Sequence, residues 1–71
     1  MKSTSAHIIA NGESKPIALP CTVEDFIKQS GWRPTQVVVE HNGTVLPRSS
    51  LPSVQLKDGD RLEVIVPVAG G

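Results

Sequence analysis

The sequence has little of what most binding and catalytic surfaces require. Its seven Lys and Arg residues balance seven Asp and Glu residues, leaving a 71-residue chain with no net charge. A surface that tracks phosphates shows as a basic excess or stripe, so no nucleic-acid partner is expected. Phe26 and Trp32 are the only aromatic residues, too few for a base-stacking platform. A lone cysteine, Cys21, allows neither an internal disulfide nor a paired-cysteine metal or redox motif. His7 and His41 lie far apart, without ligand-like spacing. The longest apolar stretch runs from Val64 to Ala69 and contains Pro67, well short of the roughly 20 residues that span a bilayer. After Met1 the residues up to Ser5 are polar and no apolar run follows them, so no signal peptide is expected. These absences predict one small cytoplasmic domain with no bound metal or cofactor and no membrane contact. At this length a folded chain buries only about 60% of its unfolded surface, so the core is thin.

What is present alternates strand-like and turn-like segments around one helix. His7-Ile8-Ile9-Ala10 reads as a strand, Asn11-Gly12 as a turn that tolerates positive φ, and Lys15 to Leu19 as the returning strand. Pro16 places that return at a sheet edge. From Thr22 to Gly31 the period changes: Val23, Phe26, Ile27 and Ser30 fall at i, i+3, i+4 and i+7. Thr22 is a good N-cap with Asp25 three residues on, and Glu24 and Asp25 put negative charge where the helix dipole favours it. Gly31 suits the position just past the helix, with Trp32 next and able to pack back on Ile27. Gln36 to His41 returns to strand character, Asn42-Gly43 signals a second hairpin, and Thr44 to Leu46 pairs back until Pro47. Arg48 to Leu56 is irregular. Lys57 to Asp60 then forms a turn into a last strand, Arg61 to Val66, with Leu62, Val64 and Val66 on one face and Arg61, Glu63 and Ile65 on the other.

Strand, strand, helix, strand, strand, strand is an α+β order. The helix stripe covers one face of a sheet and no more, and the first and last strands, both with apolar inward positions, should be neighbours beneath it. This is the β-grasp, or ubiquitin-like, arrangement: a mixed five-stranded sheet with one main helix on one face. Residues 1–66 make the domain, with 1–6 expected to be flexible, and 67–71 form a flexible tail. If Ile8, Val37, Val39, Leu62 and Val64 face the helix, then Ile9, Val38 and Ile65 emerge on the opposite face. Adjacent strands would cluster these three into one exposed patch, a candidate docking surface.

The tail reads Pro67-Val68-Ala69-Gly70-Gly71. Proline ends a ladder, and Ala-Gly-Gly has no side chain large enough to pack. One reading is a frayed end. The other is a carboxylate threaded into a narrow, water-excluding site of an enzyme, with glycines removing the steric bulk. A carboxylate is a poor electrophile, so its activation would need ATP to form an acyl adenylate that a sulfur nucleophile can attack.

Asn11-Gly12-Glu13, Thr22-Val23-Glu24-Asp25-Phe26, Val39-Glu40-His41-Asn42-Gly43, Val45-Leu46-Pro47-Arg48, Leu56-Lys57-Asp58-Gly59-Asp60 and Ala69-Gly70-Gly71 occur in that order. With these spacings the chain, from Ile8 onward, resembles the ThiS family of thiamin-biosynthesis sulfur carriers. Each motif alone is weak; the series is not. The resemblance implies a carrier that acts as a co-substrate and is not an enzyme. An E1-like, ThiF-type adenylyltransferase would use ATP and magnesium to adenylate the Gly71 carboxylate. Sulfur relayed from a cysteine desulfurase would make a thiocarboxylate, which donates sulfur to a ThiG-type thiazole synthase. Gly71 would be the reacting residue, with Gly70 and Ala69 giving access.

The same fold and Gly-Gly end also suit the small subunit of molybdopterin synthase, other sulfur carriers, or a modifier that forms isopeptide bonds through Gly71. The molybdopterin relatives carry an aromatic and paired prolines before the tail, where this chain has only Pro67. His41 departs from the family, which has an apolar residue there, and is expected at a strand end with its ring partly wet. Cys21 precedes the Thr22 cap, where a thiol pKa can fall, but no histidine is near in sequence, and an ordinary small buried residue is the expectation. Ser49, Ser50 and Ser53 lack a recognisable base or oxyanion motif, so a hydrolase is not expected.

Overall fold

The computed structural model describes residues 4–68. Five strands form one mixed sheet in the order β2-β1-β5-β3-β4, with β1 at Thr4–Ala10, β2 at Glu13–Leu19, β3 at Val38–His41, β4 at Thr44–Leu46 and β5 at Arg61–Ile65. β1 and β5 run parallel and every other pairing is antiparallel. Among the described residues the single α-helix, α1, spans Val23–Gln29. The β-grasp arrangement is the one expected, with the first and last strands side by side.

Both Asn-Gly pairs make the two-residue hairpin turns their composition favours. Asn11 and Gly12 have φ of 52° and 82°, Asn42 and Gly43 of 50° and 86°. Positive φ at both central positions matches the twist of the flanking strands. β2 is an edge strand, where Pro16 is tolerated.

The helix is closed at both ends as its sequence suggests. Thr22 Oγ1 accepts the Asp25 N–H at 3.0 Å, and the Asp25 carboxylate accepts the Thr22 N–H at 3.5 Å, completing a capping box. The next N–H groups, of Val23 and Glu24, donate to the Val54 and Leu51 carbonyls. At the far end the Trp32 N–H donates to the Ile27 carbonyl and the Gly31 N–H to the Lys28 carbonyl, both at 3.1 Å, with Gly31 at φ 90°. These are the two bonds of a Schellman ending, and the Trp32 side chain packs on the core. Ser30, the expected fourth member of the apolar stripe, is instead the exposed C-cap.

Side-chain alternation sets the core. Ala6, Ile8 and Ala10 of β1, Ile17 of β2, Val39 of β3, and Leu62 and Val64 of β5 are buried against Val23, Phe26 and Ile27 of α1. Leu51, Leu56 and Cys21 close one end. The stretch from Arg48, irregular by sequence, starts as a 3-10 turn over Arg48–Ser50 and then contributes those two leucines.

Four strand boundaries differ from expectation. β2 begins at Glu13 and not at Lys15, because the tight Asn11-Gly12 turn lets Glu13 pair with Ala10. β1 begins at Thr4, and Ala6 is only 1% exposed, so Ser5 and Ala6 are part of the sheet and not of a flexible lead-in. Gln36 belongs to a 3-10 turn, Pro34–Gln36, because Pro34 at its first position has a preset φ and the Gln36 N–H donates to the Arg33 carbonyl. β5 ends at Ile65, and Val66 is 51% exposed instead of facing inward. Beyond Ile65 no strand remains to pair with: β3 starts at its partner Val38, β1 stops at Ala10, and Pro67 lacks an N–H.

Candidate functional site

β5 delivers the chain to its tail, and both hairpin turns hold it in place. At its start, the Asn42 side-chain oxygen accepts the Arg61 N–H at 2.8 Å, and the Asn42 N–H donates to the Arg61 carbonyl at 2.8 Å. Near its end, Asn11 Oδ1 accepts the Val64 N–H at 2.7 Å and Asn11 Nδ2 donates to the Val64 carbonyl at 3.2 Å. The Asn11 amide thus stands in for the residue β1 would need to continue its ladder along β5. It fixes the last turn of side chains before Val66, Pro67 and Val68, all exposed. Ala69, Gly70 and Gly71, the expected reacting end and its access, lie outside the described residues.

A buried carboxylate secures the opposite pole, and nothing local in the sequence pointed to it. Asp60 is 9% exposed. An ionised carboxylate only accepts hydrogen bonds, so His41 Nε2 donates to Asp60 Oδ2 at 2.9 Å, as does the Lys57 N–H at 2.9 Å, while Asn42 Nδ2 donates to Oδ1 at 3.2 Å. Burial pushes the Asp60 carboxyl upward, but the bonds from His41, Asn42 and Lys57 outweigh it and hold the pKa below the ordinary carboxylate value. His41 lies at the end of β3 with its side chain 20% exposed, the partly wet position expected for it. The group is an anchor between the β3–β4 turn and the start of β5, the carboxylate accepting from two side chains of the first and one backbone N–H of the second.

Cys21 is buried, and its Sγ–H donates to the Thr22 carbonyl at 3.4 Å; it is the small core residue anticipated. Ser53 Oγ donates to the Ser50 carbonyl at 3.1 Å. Among the described residues no group of three or more His, Cys, Asp or Glu could hold a metal ion, and no helix is long and apolar enough to cross a membrane. An open cleft of about 410 Å³ separates the end of α1 from the first hairpin. Its walls are Phe26 and Trp32 on one side and Lys15 and Glu13, ion-paired at 3.3 Å, on the other.

The open face of the sheet is the remaining candidate. Val38 and Ile65 are direct cross-strand partners there, 36% and 46% exposed. Ile9 shares the face but is half-buried and pairs with Arg61. Arg61 and Ile65 are four residue steps apart along β5, roughly 13 Å of strand. The expected three-residue patch is therefore a Val38–Ile65 pair with Ile9 set apart. Val45, 57% exposed opposite Glu40, extends the apolar surface along β3 and β4.

The sequence matches the ThiS family model over residues 8–71. The chain belongs to the ThiS family. It is 34% identical over 64 residues to a thiazole synthase of Paramagnetospirillum magneticum, an alignment that takes in 90% of this chain but only 20% of that protein. It is 32% identical over 71 residues to an uncharacterized protein, ycf40, of Pyropia yezoensis, covering both chains completely. Among solved structures, it resembles the thiamine biosynthesis protein ThiS of Geobacter metallireducens with a TM-score of 0.78 and 28% identity, over 92% of this chain and 99% of that one. The ThiS family match takes in the β-grasp body from Ile8, within β1, and runs on to Gly71.

Proposed function

We propose that this protein is a cytoplasmic sulfur carrier for the thiazole moiety of thiamin, acting as a co-substrate and not as an enzyme. The reacting group is the Gly71 carboxylate. An E1-like, ThiF-type adenylyltransferase, using ATP and magnesium, joins it to the α-phosphate with loss of pyrophosphate. A persulfide sulfur relayed from a cysteine desulfurase then attacks the acyl carbon and AMP leaves; a thiol reductant cleaves the resulting acyl disulfide, is itself oxidised to a disulfide, and leaves a C-terminal thiocarboxylate. A ThiG-type thiazole synthase takes the sulfur. Gly70 and Ala69 leave the path to Gly71 free of bulk.

The observation that carries this reading is the ThiS family match through residue 71 on a body of the same fold as a ThiS structure. The thiazole synthase that aligns over one fifth of its length supports that enzyme class as the acceptor. The Val38–Ile65 pair, with Ile9 beyond it, is the surface on which the partners dock; its Ile65 lies on the strand that leads into the tail.

Intact mass decides the chemistry. After incubation with a ThiF-type enzyme, ATP, magnesium and a sulfur source, the chain should gain one sulfur in exchange for one oxygen, and deletion of Gly71 should abolish the gain without unfolding the domain. No shift would refute the carrier reading, and adducts on target lysines would indicate a modifier. Ile65→Asp should weaken binding to the activating enzyme while the fold is retained.

A further inference from the structure

The open face carries a charge arrangement that the fold does not explain. Glu40 of β3 and Glu63 of β5 are direct cross-strand partners, two residues along the ladder from Val38 and Ile65. Both point away from the helix, because their neighbours Val39, Leu62 and Val64 are the buried ones. Like charges facing each other on one side of a sheet repel. Among the described residues neither carboxylate has an ion pair or a side-chain hydrogen bond, and Arg61, two residues before Glu63 on the same face, pairs with neither. Apolar side chains flank the pair, with Val45 opposite Glu40 and the Val38–Ile65 step alongside. The isolated domain thus keeps two carboxylates without an ion pair beside exposed apolar side chains, on a chain whose net charge is zero.

We propose that this face receives an apolar surface of the activating enzyme bearing an arginine, whose guanidinium bridges Glu40 and Glu63 while its surroundings cover Val38, Ile65 and Val45. This rests on the docking face proposed above and specifies its partner's chemistry. A planar guanidinium with five donors can serve two carboxylates at once. The repulsion that the free domain bears becomes attraction in the complex, and it disfavours partners that present no cation there. The charges also accelerate encounter in a salt-dependent way.

Such a role has a signature that structural carboxylates would not give. Glu63→Gln, and Glu40→Gln with Glu63→Gln, remove repulsion from the free domain, so neither variant should melt below the wild type. Both should bind the thiocarboxylate-forming enzyme more weakly, by roughly tenfold for the double variant, and with a shallower dependence of affinity on salt. Calorimetric titration at two salt concentrations, with Ile65→Asp in parallel, reads all of this. If Ile65→Asp weakens binding while the glutamine variants bind like wild type with unchanged salt dependence, docking on this face stands and the arginine bridge falls. If Ile65→Asp also binds like wild type, the docking face itself is wrong. A fall in melting temperature in the glutamine variants would make the carboxylates structural and overturn the proposal. So would a concentration-dependent dimer of the free chain that Ile65→Asp abolishes, which would assign the face to a second copy.

Discussion

Replacing Asp60 by Asn tests the anchor beneath β5 with almost no change of shape. Asp60 accepts three hydrogen bonds, from His41, Lys57 and Asn42. An asparagine has one acceptor oxygen. If that oxygen keeps His41 and the Lys57 N–H, the new NH2 faces the Asn42 NH2, and donor meets donor. If it turns the other way, two donors are lost instead of one. The better arrangement forfeits one charge-assisted bond and weakens two others, a cost of about 2 kcal/mol. A 71-residue domain has a total stability on the order of 4–10 kcal/mol, so the loss is a large share. With an unfolding entropy near 2 cal/mol/K per residue, it lowers the melting temperature by roughly 13 °C.

The effect must also depend on pH in one direction. The folded-state pKa of Asp60 is held below its ordinary value. Its stabilising contribution is therefore complete above the unfolded carboxyl pKa, near 3.9, and is lost as pH falls through the lower folded value. Thermal melts followed by far-UV circular dichroism from neutral pH to about pH 2 should show wild type and Asp60→Asn well separated at pH 7 and converging only in strong acid. A variant that melts within a degree or two of wild type at pH 7 would refute the anchor, as would a separation that persists undiminished down to pH 2.

Two further substitutions probe the ends of other elements. Asn11→Gly keeps the positive φ but removes both side-chain bonds to Val64; it should cost on the order of 1–2 kcal/mol and speed hydrogen exchange at the Val64 amide far more than at Leu62. Thr22→Ala removes half of the capping box and should cost about 1 kcal/mol in a denaturant titration, with the unfolding slope unchanged.

The helix and both hairpins were legible because their signals are local. Thr22 and Asp25 meet across three residues, Gly31 follows the last turn, and each Asn-Gly pair sets its own φ values. What was hidden depends on which strands become neighbours. Asp60 and His41 are 19 residues apart and Asn11 and Val64 are 53 apart. An Asp in a Lys-Asp-Gly-Asp turn looks like any polar loop residue until the β3–β4 turn arrives beside it. Ile9 shows the same limit: alternation assigns its face correctly, but only the parallel register with β5 places it opposite Arg61 and away from Ile65. Val66 continues the alternation in sequence, yet no neighbouring strand reaches it.

β5 is where these long-range terms converge, and this bears on how the body serves the tail. Asn42, itself bonded to Asp60, holds its first residue and Asn11 its penultimate one, so a five-residue strand is tied at both ends as well as along both sides. Its inward side chains, Leu62 and Val64, are core; its outward ones, Glu63 and Ile65, belong to the face proposed for docking. A partner seated on Glu63 and Ile65 therefore holds a strand that cannot slide, and the residues after Ile65 leave it at a fixed place and direction. On the proposed function, in which the Gly71 carboxylate reacts, an enzyme that grips this face would use that constancy to find the carboxylate. On this reading the Asn11 clamp serves position as well as stability, and Asn11→Gly should slow thiocarboxylate formation at temperatures where the domain is still fully folded. Equal rates for folded wild type and Asn11→Gly would confine Asn11 to a structural part.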